Sequence, residues 1–123
     1  MKKLLILVCL ITLLPLAAFA DDWMNISESN TDVYKVDTSS IRKHDAIVTY
    51  WVKHIMVKNS IIEATETFQS VDCSKMDSYQ IHVTSYFIGN KINKVDDQDG
   101  SINTIKPGSN QEKIVNFVCS YND

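Results

Sequence analysis

The sequence predicts an α+β fold dominated by β structure: an antiparallel sheet with one C-terminal helix tied to it by a disulfide. Three observations carry that expectation. The middle of the chain is rich in β-branched and aromatic residues at alternating spacing, as strands prefer. From Ser109 the pattern switches to a helical period behind a capping box. Two cysteines, Cys73 and Cys119, lie beyond the N-terminal apolar segment, and the second falls beside the helical stripe.

The N-terminal residues read as an export leader. Lys2 and Lys3 supply a positive start, Leu4 to Leu14 is apolar apart from Thr12, and Pro15 breaks the run before Ala18-Phe19-Ala20. Small residues at that spacing suit a signal peptidase, so residues 1–20 are expected to be a cleaved signal peptide ending before Asp21. The run is short of the roughly 20 apolar residues that span a bilayer. Cys9 does not suit lipidation, because Ile6-Leu7-Val8 precede it and little apolar segment lies upstream. Residues 21–123 are then one domain of 103 residues (123 less 20). That suits a single modest core. Removing Lys2 and Lys3 from the 12 basic residues leaves 10 against 15 acidic, a formal charge of −5. A general nucleic-acid binder would carry the opposite balance. In an oxidising compartment the two remaining cysteines are expected to pair, closing a span of 46 positions (119 less 73). The chain-entropy model gives such a loop roughly 4 kcal/mol.

Along the domain, Trp23 to Ser27 and Val33 to Val36 read as short strands around Glu28-Ser29-Asn30. Asp45 to Lys58 is the strongest strand. Val48, Tyr50, Val52, His54 and Met56 share one face, and Ile47, Thr49, Trp51, Lys53, Ile55 and Val57 share the other. Both faces are largely apolar, which predicts a central strand or one covered on its second side. Asn59-Ser60 is a natural turn into Ile61 to Val71, a mixed and more exposed strand. Tyr79 to Phe87 alternates as a half-buried strand with Tyr79, Ile81, Val83 and Phe87 on one face. Asp96 to Ser101 reads as a polar turn around Gly100. Pro107-Gly108 ends the preceding strand. Ser109 and Glu112 then form a capping box, in which the serine oxygen accepts the Glu112 N–H and the glutamate reaches back to the serine N–H. Ile114, Phe117, Val118 and Tyr121 form the helix stripe.

Several separated pieces together resemble the surface-adhesin protein E family of exported Gram-negative bacterial proteins. They are Trp23, the run Val33-Tyr34-Lys35-Val36-Asp37-Thr38-Ser39-Ser40-Ile41, the polar turn at Arg42 to Asp45, and Val48-Thr49-Tyr50-Trp51-Val52. Further on come Ser70 with Asp72-Cys73, Tyr86 with Gly89, Ile105-Lys106-Pro107-Gly108-Ser109, and Glu112, Ile114, Val118 and Cys119. The resemblance implies an antiparallel sheet with a disulfide-linked helix, and adhesion to host matrix and plasma glycoproteins, often from a dimer. Two departures stand out: Gly100 to Lys106 carries Ile102 and no tryptophan, and the leader lacks a lipid-attachment cysteine.

Catalytic patterns are weak beside this. His44, His54 and His82 are 10 and 28 positions apart, which matches no common metal-ligand spacing. Asp96-Asp97-Gln98-Asp99-Gly100 fails the EF-hand pattern at Val95 and at Lys106. The serines lack a nucleophile-elbow context. No catalytic residue, metal or cofactor is expected, and the chain reads as a non-enzymatic module that binds protein. Tyr50, Trp51, Val52 and Ile55 are the candidate binding residues, because exposed apolar strand surface marks interfaces and aromatic side chains anchor them. The competing reading buries both faces, one under the helix and one under the N-terminal segment; a homodimer through that surface would satisfy both. The expected partner is a protein, with host extracellular-matrix protein the reading the resemblance suggests, and with no nucleic acid and no stable membrane span. The periplasm is the expected destination, with the cell surface or secretion beyond it. A soluble periplasmic accessory protein with the same fold is the alternative.

Overall fold

The run Ile47–Lys58 alternates apolar side chains on both faces, which suits a strand with neighbours on each side, and it lies near the centre of the sheet. The computed structural model describes residues 22–122 with the exception of Asn90. The expected leader, including Cys9, lies outside the described residues. Six strands form one antiparallel sheet: β1 (Trp23–Glu28), β2 (Asp32–His44), β3 (Ile47–Lys58), β4 (Ile61–Asp72), β5 (Ser78–Ile88) and β6 (Lys91–Thr104). They lie side by side in chain order, so each strand pairs with the next. One helix, α1 (Asn110–Ser120), follows.

The turns follow from local chemistry. Asn59 and Ser60 both adopt positive φ, 51° and 65°, which the tight connection from β3 to β4 requires. Asp45 does the same at 55° between β2 and β3. Aspartate and asparagine tolerate this left-handed region better than most residues.

The helix is placed by its start. Ser109 Oγ accepts the Glu112 N–H at 3.2 Å, as the capping box predicts. The reciprocal bond differs: Glu112 Oε1 accepts from Gly108 N at 3.1 Å, while Ser109 N donates to the Lys106 carbonyl at 3.2 Å. Pro107 turns the chain so that Gly108, at φ +79°, presents the free N–H. Two side-chain bonds fix the helix entry on the sheet. Ser27 Oγ donates to Asn110 Oδ1 at 2.7 Å, and Gln111 Nε2 donates to Gln69 Oε1 at 2.8 Å.

Ile114, Val115 and Val118 of the helix are fully buried against Val36, Val48, Tyr50, Val52 and Val71. This is the core, and it lies on one face of the sheet. Each such side chain contributes about 1.5–3 kcal/mol by leaving water. Cys73, just past β4, bonds to Cys119 in the helix with Cα atoms 5.7 Å apart. The disulfide therefore holds the far end of α1 against the sheet, as its start is held by Asn110 and Gln111.

The structure corrects four sequence expectations. Asp96 to Ser101 is not a turn but part of β6, where Gly100 adopts φ +79° inside an irregular stretch opposite Ile81–Val83. The long β5 partner holds these polar residues in a strand against their own preference. The second strand runs thirteen residues, not four, because a break in register between Asp37 and Arg42 lets it continue through polar sequence. The fourth strand is an interior member of the sheet, with Gln69, Ser70 and Val71 buried. Finally, Tyr79 and Ile81 do not share a face with Val83 and Phe87. Val83 pairs with Phe68 and Ile81 with Gln69, so His82 is an extra residue that reverses the alternation.

Reducing the Cys73–Cys119 bridge, or replacing both cysteines with serine, is expected to lower unfolding free energy by about 2–4 kcal/mol. Urea unfolding with and without reductant measures it; an unchanged midpoint would show that the bridge contributes nothing.

Candidate binding face

Strand alternation decides which side chains can meet a partner. On β3, even-numbered residues from Val48 to Val52 point into the core, so odd-numbered ones point to the opposite face. The cross-strand register carries that assignment outward. Trp51 stands opposite Phe68 and Asp37, Lys53 opposite Glu66, Ile55 opposite Ala64, and Val57 opposite Ile62. Phe68 in turn stands opposite Val83, Glu66 opposite Ser85, and Ala64 opposite Phe87. Trp23 joins the same face from β1, opposite Asp37.

Among the described residues no element covers this face; α1 packs only on the other. The expected cover by the N-terminal segment does not occur, since β1 pairs with β2 in the plane of the sheet. Nine large hydrophobic residues are exposed, and six of them, Ile47, Val57, Ile62, Ile92, Val95 and Ile102, belong to the open face by register. Ile102 is 70% exposed and Ile92 65%. On that face Ile47 and Ile102 lie near one end and Val57, Ile62 and Ile92 near the other, with Trp51 and Phe68 between them.

Across the middle of the face runs a row of rings. Trp51 and Phe68 have centroids 5.3 Å apart at 40°, and Phe68 and His82 5.8 Å apart at 49°. Lys53 Nζ lies 4.4 Å from the centroid of the Trp23 ring and 4.0 Å from Glu66 Oε1. His82 Nε2 and Ser70 Oγ are 2.8 Å apart. Ser70 and His82 thus form a pair.

Of the four candidate residues, Trp51 and Ile55 stand on this open face, half-buried by their neighbours. Tyr50 and Val52 do not: they are 0% and 3% exposed in the core under α1 and cannot touch a partner. The strict alternation of a strand divides adjacent residues between opposite faces. Phe68, Phe87 and Trp23 belong to the open face and were missed from sequence. Phe68 could have been found, since it follows directly from pairing β3 and β4 across Asn59-Ser60.

Tyr50 has a further property. Its hydroxyl is buried without a hydrogen bond, the Gln111 amide acting on it only from outside bonding geometry. Burial pushes its ionisation far above the ordinary tyrosine value of 10.0, with the nearby Tyr79 adding to the shift.

The remaining histidines do not converge. His54 lies on the helix side, stacked on Tyr34 with centroids 4.1 Å apart and 10° between planes, with Nε2 2.7 Å from Asp32 Oδ1. The Thr31 hydroxyl, and then His54, hold the Asp32 carboxyl below its usual range. Among the described residues no three of His, Cys, Asp and Glu gather where a metal could sit, and no helix is long and apolar enough to cross a membrane.

The sheet is roofed on one face by a disulfide-pinned helix and, among the described residues, is left uncovered on its aromatic face. In a comparison with family models, the one described as surface-adhesin protein E matches residues 23–120. The chain belongs to that family, which makes it an adhesin-like exported protein. Comparisons with curated proteins and with solved structures return no match.

Replacing Tyr50 with phenylalanine is expected to leave stability at neutral pH unchanged or raised, because it removes an unsatisfied buried hydroxyl. In the native protein, the contribution of a neutral Tyr50 is fully present below pH 10 and is lost as pH rises beyond it, since the folded-state value lies higher. Chemical denaturation across pH 7–11 should therefore show a decline above about pH 10 that the phenylalanine variant lacks in part. A loss of more than about 1 kcal/mol in that variant at pH 7 would contradict the assignment.

Proposed function

We propose that this protein is a non-enzymatic binding module of the bacterial envelope whose open sheet face docks another protein. The observation that supports it best is the concentration of exposed apolar side chains on the face that α1 leaves bare. Strands spaced about 4.8 Å apart with about 3.3 Å per residue give the five long strands a face roughly 24 Å by 36 Å. That is the size of one side of a standard interface, about 800 Å². Trp51, Phe68 and Trp23 are the aromatic anchors, and the Lys53–Glu66 pair gives the contact a polar register. The family points to host extracellular-matrix protein as the partner class. A second copy of the chain meeting the same face is the self-associating form of this reading.

Export supports it from the other end. Residues 1–20 carry the three parts of a cleavable leader, and we take 21–123 as the mature domain. The alternative, a soluble periplasmic accessory protein, is favoured by one feature: Ala18-Phe19-Ala20 offers peptidase cleavage and Cys9 offers no lipid anchor.

Mature protein should bind immobilised matrix proteins saturably. Ile62→Lys and Val95→Asp, both already exposed, should weaken binding about tenfold or more, while Lys113→Glu on the outer face of α1 should not. Equal binding by all three variants would contradict the assignment to the open face. Protease protection of the chain in intact cells, with an N-terminus at Asp21, would favour the periplasmic alternative.

A further inference from the structure

Within the open face, one cleft has a composition unlike the rest. Trp23, Asp37, Trp51, Glu66 and Ser85 enclose about 270 Å³, and Glu66 is shared with a neighbouring trough that runs past Lys53, Ile55, Ala64 and Phe87. The core of an interface with a flat protein surface is depleted in charged residues. This cleft instead places two indole rings beside carboxylates, a hydroxyl and an ammonium.

Asp37 is the unusual member. It is 6% exposed, and burial of a carboxylate costs free energy unless hydrogen bonds meet it. Its Oδ1 takes three: from Asp22 N at 3.2 Å, Ser39 N at 3.0 Å and Ser39 Oγ at 2.6 Å. Among the described residues nothing bonds its Oδ2. A carboxylate fixed so firmly through one oxygen, with the other unpaired in a cleft between two tryptophans, is a positioned acceptor.

We propose that this cleft binds a pyranose ring of a neutral glycan. The inference rests on the open face being the binding surface and names the chemistry of what enters it. A pyranose has an apolar C–H face that suits the Trp51 indole, the Trp23 ring being already occupied by Lys53, and a rim of hydroxyls that both donate and accept. The cleft supplies the complement: Asp37 Oδ2 accepts and Ser85 does either, while the Lys53 ammonium donates from the adjoining trough. A few fixed polar groups among aromatic walls is the general form of a small-ligand site.

Charge selects against the alternatives. Lys53 already occupies the Trp23 ring at 4.4 Å and lies 4.0 Å from Glu66, so an entering lysine or arginine side chain meets a like charge on the ring it would use. An acidic sugar meets the Asp37 carboxylate, and the Lys53 ammonium that would otherwise attract it is already set against Glu66. A neutral ring meets neither penalty. The trough beyond Glu66 continues the site along β3 and β4, giving a second unit of the same chain a place to lie.

The test is a titration of the mature protein, labelled at the tryptophan indoles, with glucose, galactose, N-acetylglucosamine and lactose, followed by NMR. N-acetylneuraminic acid and Nα-acetyl-lysine methylamide serve as charged comparisons. At least one neutral sugar should shift the Trp23 and Trp51 indole N–H signals saturably, with Kd of the order of 1 mM. Ser85→Arg, which fills the cleft from a half-buried position, should weaken that binding about tenfold or more with the melting temperature kept. Trp51→Ala should do the same, and the serine variant carries the test if the tryptophan variant unfolds. No shift from any neutral sugar overturns the proposal, as does equal response to the lysine amide. Binding to a matrix protein that persists after its glycans are removed enzymatically overturns it too, while leaving the open face as a protein-binding surface.

Discussion

The contact on which the rest of this structure depends is the packing of α1 against Val36, Val48, Tyr50, Val52 and Val71. Ile114, Val115 and Val118 are the fully buried helix residues of that layer, with Phe117, Cys119 and Tyr121 packed at its margin. A sheet of this width cannot stand in water on strand pairing alone, so one face must be roofed, and an eleven-residue helix is the only roof among the described residues. Everything else follows from that asymmetry. The helix is held at its start by the Ser109 cap and the Asn110 and Gln111 bonds, and at its end by Cys119. With the helix used on one face, no element among the described residues covers the other.

That division is written residue by residue along β3. Tyr50 and Trp51 are neighbours in sequence and opposites in role: the first is sealed beneath the helix, the second stands beside Phe68 on the bare side. The open face is then a mixture that a purely structural surface would not need. Rings, exposed isoleucines and a lysine–glutamate pair share it with a buried aspartate whose second oxygen takes no hydrogen bond among the described residues. Membership of the surface-adhesin protein E family fits such a surface, because an adhesin must offer apolar anchors to its partner without collapsing onto them itself.

Much of the fold was legible in the sequence, for identifiable reasons. The alternation in Ile47–Lys58 and the turn at Asn59-Ser60 encode β3 and β4 locally, and Ser109 with Glu112 encodes the helix start. The two cysteines fix where the helix lies. What failed was non-local. Polar residues from Asp96 to Ser101 join a strand because β5 offers them a ladder, which no local preference reveals. The extra residue at His82 moves Val83 and Phe87 to the opposite face from Tyr79 and Ile81, and a bulge leaves no clear mark in composition. The candidate face was half legible: the doubly apolar β3 drew attention to this strand, while the choice of face needed the helix in place. Asp37 was not legible as a buried carboxylate, since the donors that meet it, Asp22 N and Ser39 N and Oγ, are brought to it by the fold.

The measurement that tests this account most directly is hydroxyl-radical footprinting of the mature, disulfide-bonded protein at a concentration where it is monomeric. The account predicts strong labelling of Ile62, Val95 and Ile102, measurable labelling of Trp51 and Phe68, and none above background at Tyr50, Val115 and Val118. Protection of Trp51 and Phe68 equal to that of Tyr50 would mean that the second face is covered within one chain, and would contradict the one-sided architecture.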